Sequence, residues 1–308
     1  MDTRPAVPPR MGLGWLGPVA AGAALVAVAF FAASYLSRPD EAADPRASLV
    51  ADLEDQVRAD PQNTDLRVVV AEAYLEAGRA EDALAQYDEA LRLDPEREDA
   101  LYGLGLTYRE LGQPDQATAA FQAIIEANKD NPNEALNRRL QGAHFYQGLL
   151  FRDAGRYEEA INELRLALGL NRSDADTLFE LGKTFALNGN TDDAIAAFDV
   201  TLAYVPDYRE AYVELEKIAT ASGDQPRAEF ARAMLLVLDG KEEDAIPVLK
   251  QAAEQAESAR YWWGLGYAQE RSGDEAGAIA AYQRAVELNP GELLAAESLR
   301  RLQAGGEP

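Results

Sequence analysis

The sequence predicts an all-α chain in which paired helices stack into an elongated solenoid behind one apolar N-terminal helix. Three observations carry this. Gly78 and Gly112, Tyr74 and Tyr108, Ala83 and Ala117, and Tyr87 and Phe121 are each 34 residues apart, so one unit is written twice without slippage. Within a unit, apolar residues recur on one helical face, Leu101, Leu104, Gly105 and Tyr108 on a first helix and Ala117, Phe121 and Ile124 on a second. The stretch Trp15–Leu36 is a run of 22 residues without a charge.

The two stripes of a unit face each other. Gly105 and Ala117 are small where the helices cross, and Tyr108 and Phe121 fill the space around the crossing. Gly112 ends the first helix, because a left-handed residue there carries no Cβ penalty. The order Leu101-x2-Leu104-Gly105-x2-Tyr108, then Ala117-x3-Phe121, with Pro95 closing the preceding copy, resembles the tetratricopeptide repeat (TPR). That resemblance implies a right-handed superhelical solenoid whose first helices line a concave groove. A single hairpin leaves its outer face apolar, so neighbours must stack on it, and about three are needed for a stable array.

Composition narrows the function. With 53 acidic and 29 basic residues, a formal net charge of −24 disfavours nucleic acid as a partner, since phosphate binding needs a basic surface. Many of the acids have a structural reason. Glu81/Asp82, Asp115, Glu158/Glu159, Asp192/Asp193, Glu242/Glu243 and Asp274/Glu275 open second helices, where the positive end of the dipole favours them. The absence of cysteine and the single histidine, His144, exclude disulfides, thiol chemistry and Cys/His zinc sites. Neither a G-x-S-x-G elbow nor a glycine-rich phosphate loop occurs, and Gly103-Leu104-Gly105 falls inside a helix. The expectation is a non-enzymatic protein with no cofactor, no metal and no small-molecule substrate.

Taken in order, residues 1–14 form a short proline-rich tail. Residues 15–36 would span about 33 Å as a helix, against about 30 Å of hydrocarbon, with Trp15 and Tyr35 near the two interfaces. This reads as a transmembrane anchor. A cleaved signal peptide is the alternative, with Ala27-Val28-Ala29 as its small-x-small site, but the apolar run continues through Phe30, Phe31 and Leu36. Arg4 and Arg10 before the span balance Arg38 and Arg46 after it, so the positive-inside count is tied. The short basic tail leads us to expect a cytoplasmic N-terminus and an extracytoplasmic repeat domain.

Residues 37–47 read as a linker, 48–303 as a solenoid of about six repeats with capping helices, and 304–308 as a tail. Leu49–Asp60, closed by Pro61, reads as a lone second helix capping the open end, with Leu49 and Leu53 in its stripe. Gly112 and Gly155 are 43 apart, nine more than the period. The extra residues lie within 131–140, where Asn131 or Asn133 caps a helix beside Pro132, and the spacing predicts a first helix lengthened by about two turns beyond the stack. Arg138, Arg139 and His144 on it are a contact site or a solvated extension. Repeats three and four carry Gly148, Gly155, Ala160 and Leu164, then Leu178, Gly182, Phe185, Gly189, Ala194, Phe198 and Pro206.

Gly223, Gly240 and Gly273 are then 17 and 33 apart. This implies three helices, near 209–222, 225–239 and 241–256, one of them unpaired or shared between hairpins. Such a fault should redirect the superhelix, and Pro247 should kink the third helix. The pattern recovers at Trp262-x2-Leu265-Gly266, Ala278-x3-Tyr282 and Pro290, and residues 292–303 close the array as an amphipathic helix.

Within the groove implied by the resemblance, Tyr102, Phe145 and Phe179 hold one equivalent position, Arg109 and Arg152 a second, and Lys183 and Lys217 a third. Aromatic area and forked guanidinium donors suit an extended peptide or its C-terminal carboxylate. The plainer reading is that the aromatics pack on neighbouring helices and the arginines pair with acids such as Glu110 and Asp153. The carboxylate clamp of chaperone-binding TPR proteins is not matched, since its lysine and asparagine positions in the first repeat fall on Val68 and Glu72. The resemblance implies a membrane-anchored scaffold that holds a protein or peptide partner. The anchor, the first repeats and the opening Asp60-Pro61-Gln62-Asn63 also resemble the TPR factors of bacterial c-type cytochrome maturation, which present apocytochrome. A structural subunit of an envelope assembly complex is a further expectation.

Overall fold

The computed structural model describes residues 45–131 and 137–304. The apolar run 15–36, the tail before it and most of the 37–47 stretch lie outside these residues, and among the described residues no helix is long and apolar enough to cross a membrane. The described residues form fifteen helices and no strand. A lone helix α1 (Pro45–Ala59) precedes four hairpins, α2/α3 (Thr64–Glu76, Ala80–Leu93), α4/α5 (Glu98–Glu110, Pro114–Ala127), α6/α7 (Arg138–Asp153, Tyr157–Leu170) and α8/α9 (Ala175–Leu187, Thr191–Tyr204). Then come α10 (Arg209–Ser222), α11 (Gln225–Leu238), α12 (Glu242–Ala256), a hairpin α13/α14 (Ala259–Arg271, Glu275–Leu288) and α15 (Leu293–Gln303).

Local chemistry sets the ends of these elements. Asn63, Asp174, Asp224 and Asp274 accept backbone N–H groups of the turn that follows each, satisfying donors that a helix start leaves orphaned. The turn within each hairpin carries a glycine at positive φ, as at Gly112 (φ 67°), a conformation open to glycine at little cost. Inside each hairpin the crossing is tight. Ala83, Ala117, Ala160, Ala194 and Ala278 are fully buried, and a Cβ on Gly105 would come within 2.6 Å of the Phe121 ring. Gly182 stands in the same relation to Phe198 and Gly266 to Tyr282.

Consecutive first helices, α2 to α4, α4 to α6 and α6 to α8, touch one another directly, whereas consecutive second helices make no comparable contact. The first helices therefore form the inner, more closely spaced wall of the stack.

Three expectations change in the structure. In α1 the buried pair is Val50 and Leu53, with Val57 packed beside them, while Leu49 is 52 % exposed. The stripe phase places Val50 rather than Leu49 against α2. The insertion does not lengthen a helix by two turns. Helix α6 begins at Arg138 and has 16 residues against 13 in α4 and α8, less than one extra turn. Its cap is Asn137, whose side chain accepts from Arg139 N and Leu140 N. The Asn137 amide also donates to Glu98 (2.9 Å) and to Asn128 Oδ1 (2.9 Å), and Asn128 donates to Glu98 at 2.6 Å. This network pins both ends of the insertion to α4, so the stack continues in register; Asn133 lies outside the described residues.

The fault consists of three helices, with bounds within one residue of the expected ones, and α12 is helical throughout despite Pro247. Helix α11 packs on α10 before it and on α12 after it, and also touches α13. Both flanking turns, at Gly223 (φ 77°) and Gly240 (φ 72°), are of the hairpin type. Helix α11 is thus the second helix of one hairpin and the first of the next, while α10 drops out of the inner wall and rests only lightly on α9.

Candidate binding groove

The inner wall of the first three repeats encloses a concavity of about 570 Å³, lined by Glu72, Leu75 and Glu76 of α2, Asp99, Tyr102, Gly103 and Leu106 of α4, Tyr87 of α3, and Arg138 and Arg139 of α6. Its floor is aromatic because the helical period places Tyr102 over the crossing below it. The Tyr102 ring lies edge-on to Phe121 (5.9 Å between centroids) and to Tyr146 (6.0 Å), and Phe121 and Tyr146 stack at 5.5 Å. Gly142 leaves room for Tyr102, since a Cβ there would approach its hydroxyl to 2.6 Å. Burial pushes the Tyr102 phenol up to about 12, so at neutral pH it is a neutral, amphipathic surface.

The walls carry opposite charge. Asp99 is held by the fork of Arg97, Nε to Oδ1 at 2.7 Å and Nη2 to Oδ2 at 3.0 Å. Burial alone would raise its carboxyl, but that guanidinium and the Ala100 N–H bring it below the ordinary carboxylate range. Glu72, which is exposed on the groove, has no such partner among the described residues. Partial desolvation and then the Asp99 charge raise its carboxyl, Arg139 across the groove partly opposes this, and Glu76 adds to it. Arg139 lies 4.0 Å from Asp99.

The structure separates the seven site residues expected from the sequence into groups. Tyr102 lies in the cavity floor. Phe145 packs edge-on against Tyr146 at 5.1 Å, and Arg109 lays its guanidinium over the Tyr146 ring at 4.6 Å, a cation–π contact. Further along, Arg152 and Lys183 converge on Glu180, with Arg152 also 2.9 Å from Asp153 and Lys183 3.2 Å from Glu180. Phe179 is buried between Phe198 (5.6 Å) and Tyr208 (5.0 Å). Lys217 is on α10, beyond the break in the inner wall, 3.4 Å from Glu214. His144 does not join Arg138 and Arg139 in the groove lining; it is buried with Nδ1 2.6 Å from Glu163.

Sequence reasoning missed Tyr146, Glu76, Leu75 and Leu106, and met Glu72 only as a mismatch to another clamp. Their signal was the same period that gave Tyr102, since Glu72 precedes Leu106 by one 34-residue repeat. Among the described residues no group of three or more metal-ligating side chains occurs.

Comparison with known proteins agrees with this geometry. A family model described as a tetratricopeptide repeat matches residues 70–132 and 230–292, a second, described as a TPR repeat, matches 148–189, and a third, again a tetratricopeptide repeat, matches 176–208. Among solved structures, PilW, described as a widely conserved type IV pilus biogenesis factor, is 23 % identical over 62 % of this chain and 85 % of its own, with a TM-score of 0.55. MamA 41-end from Desulfovibrio magneticus RS-1 is 18 % identical over 57 % of this chain and 94 % of its own, with a TM-score of 0.51. At these identities the likeness is one of fold. No curated protein sequence matches the chain. The repeat matches, the hairpin geometry and the inner wall of first helices agree: the chain belongs to the tetratricopeptide-repeat family.

Proposed function

We propose that this protein is a scaffold that holds an extended segment of a protein partner along the inner wall of its first repeats, tethered to a membrane by residues 15–36. The observation that carries the reading is the concavity of about 570 Å³ floored by Tyr102, a volume in the usual range of ligand sites, on rigid helices from three successive repeats. Tyr and Arg are the side chains that most often anchor such contacts, and Tyr102, Tyr146 and Arg109 lie together here. Presentation of a haem-free cytochrome segment is the narrower version suggested by the anchor and the opening repeat.

Arg109 gives the cleaner test, because it rests on an aromatic face with no carboxylate partner among the described residues. Reversing Arg152 would also break its contact with Glu180. Partner capture by the full chain should be lost with Arg109→Glu and kept with Val200→Glu, on the outer face of α9 where Val200 is 42 % exposed. The opposite pattern favours the competing reading, an envelope assembly subunit that uses its outer surface. Protease digestion of the repeats in intact cells, against digestion only after lysis, tests the orientation; protection until lysis would remove the cytochrome version.

A further inference from the structure

We infer that the occupant of this groove is a charge-segregated segment, basic over the first repeat and acidic towards the third and fourth, with an apolar side chain between; the inference rests on the groove reading above. It begins with two carboxylates that the fold does not need. Glu72 and Glu76 are one turn apart at the C-terminal end of α2, where the helix dipole disfavours negative charge and like charges four residues apart repel. Many of the chain's other acids instead open helices, as Glu81 and Asp82 open α3. No cation forms an ion pair with Glu72 or Glu76 among the described residues, and the Glu72 carboxyl stands above its ordinary range because partial desolvation and Asp99 outweigh the opposing charge of Arg139. A bound Lys or Arg would relieve all of these effects together.

Across the groove the sign reverses. Arg138 is exposed, lines the same cavity and has no ion-pair partner among the described residues, while Arg139 has only its 4.0 Å approach to Asp99. Between the two charged walls lie Leu75, Tyr102 and Leu106. The position of Glu72 also repeats along the array as Leu106, Leu149 and Lys183, so one row of the inner wall passes from acid through apolar to base over four repeats. Lys183 has an i,i+3 contact to Glu180, which at a partly exposed site is weak and readily exchanged. A partner laid along that row meets complementary charge in one orientation and like charge in the other. The four first helices, spaced by about 8–10 Å, match about eight or nine extended residues.

The test uses the full chain and a display library of random peptides of about a dozen residues, longer than that span. Enriched peptides should carry Lys or Arg at one end and Asp or Glu at the other, in a single order. The double change Glu72→Lys with Glu76→Lys should weaken them at least about tenfold, and replacing the peptide's basic residues by Glu should restore binding to that variant. Enrichment that depends on Tyr102 but shows no charge order, or no rescue by the swap, overturns this inference and leaves the groove reading standing. Enrichment that survives Tyr102→Ala and Arg109→Glu unchanged overturns both.

Discussion

At Gly105 the space that a methyl group would need is filled by the Phe121 ring, so the residue is glycine because the neighbouring helix comes too close for anything larger. Gly105→Ala gains helix propensity, about 1 kcal/mol, but forces a fully buried ring to move, at a typical cost of about 1–3 kcal/mol. Gly169, in α7, has open space where a side chain would begin, with no neighbouring atom within 4 Å of that point, and Gly169→Ala should stabilise by about 0.5–1 kcal/mol. Urea unfolding should therefore move the two midpoints in opposite directions. Glu72 makes a pH-dependent prediction. Its folded carboxyl lies above the ordinary 4.5, so the folded state takes up the proton first as pH falls and stability is lost as pH rises through that window. Glu72→Gln should be more stable than the parent at pH 7, by a few tenths of a kcal/mol for a like-charge pair of this spacing, and the gap should close below pH 4.5. The tight glycine was legible in the sequence because the 34-residue period fixes which helical face it occupies. The role of Glu72 was not, since no spacing reveals that the arginine across a groove stops short of pairing with a carboxylate.

Among the elements, α6 shows how an insertion is absorbed. Asn137 both caps the helix and donates to Glu98 and Asn128, which closes the ends of the inserted segment and keeps α6 on the stack. Asn137→Ala should cost about 1 kcal/mol or more, with faster hydrogen exchange at the first turn of α6 and little change in α8. The sequence placed extra residues here but not the helix start. Asn131, Asn133 and Asn137 are all competent caps, and the choice was made by the contacts of Asn137 with Asn128 and with Glu98, which is 39 residues away in sequence. Helix α1 teaches a similar lesson: Leu49 and Val50 are both apolar, and only the phase against α2 decides which is buried. The three helices of the fault were legible because Gly223 keeps the 34-residue period from Gly189 while Gly240 follows only 17 residues later, and two successive hairpin turns leave α11 to serve both sides.

For the whole molecule, the fault interrupts the inner wall after α8, and polar contacts span the gap. Arg227 of α11 reaches Asp199 of α9 at 3.3 Å, and Arg260 of α13 donates to the Leu202 carbonyl near the end of α9 (3.3 Å) while pairing with Glu292 (3.3 Å). Asp199, half exposed, lines the small polar cavity between these helices, where partial desolvation raises its carboxyl despite the nearby arginines. Arg260→Ala removes a cation from a helix C-terminus and one strut of this clasp. Distances between spin labels on α8 and α13 should broaden in that variant and in high salt, while labels on α2 and α6 stay unchanged.

The central claim is that a partner lies on the inner wall of the first repeats, and site-specific photo-cross-linking in cells addresses it most directly. A photoreactive residue would replace Leu106 or Arg109 on the inner wall, and Leu166 or Val200 on the outer face of the second helices. One discrete adduct is expected from the inner positions, absent in the Glu72→Lys, Glu76→Lys background, and none from the outer pair. Adducts formed only from Leu166 and Val200 would contradict that claim and place the working surface on the outside of the solenoid.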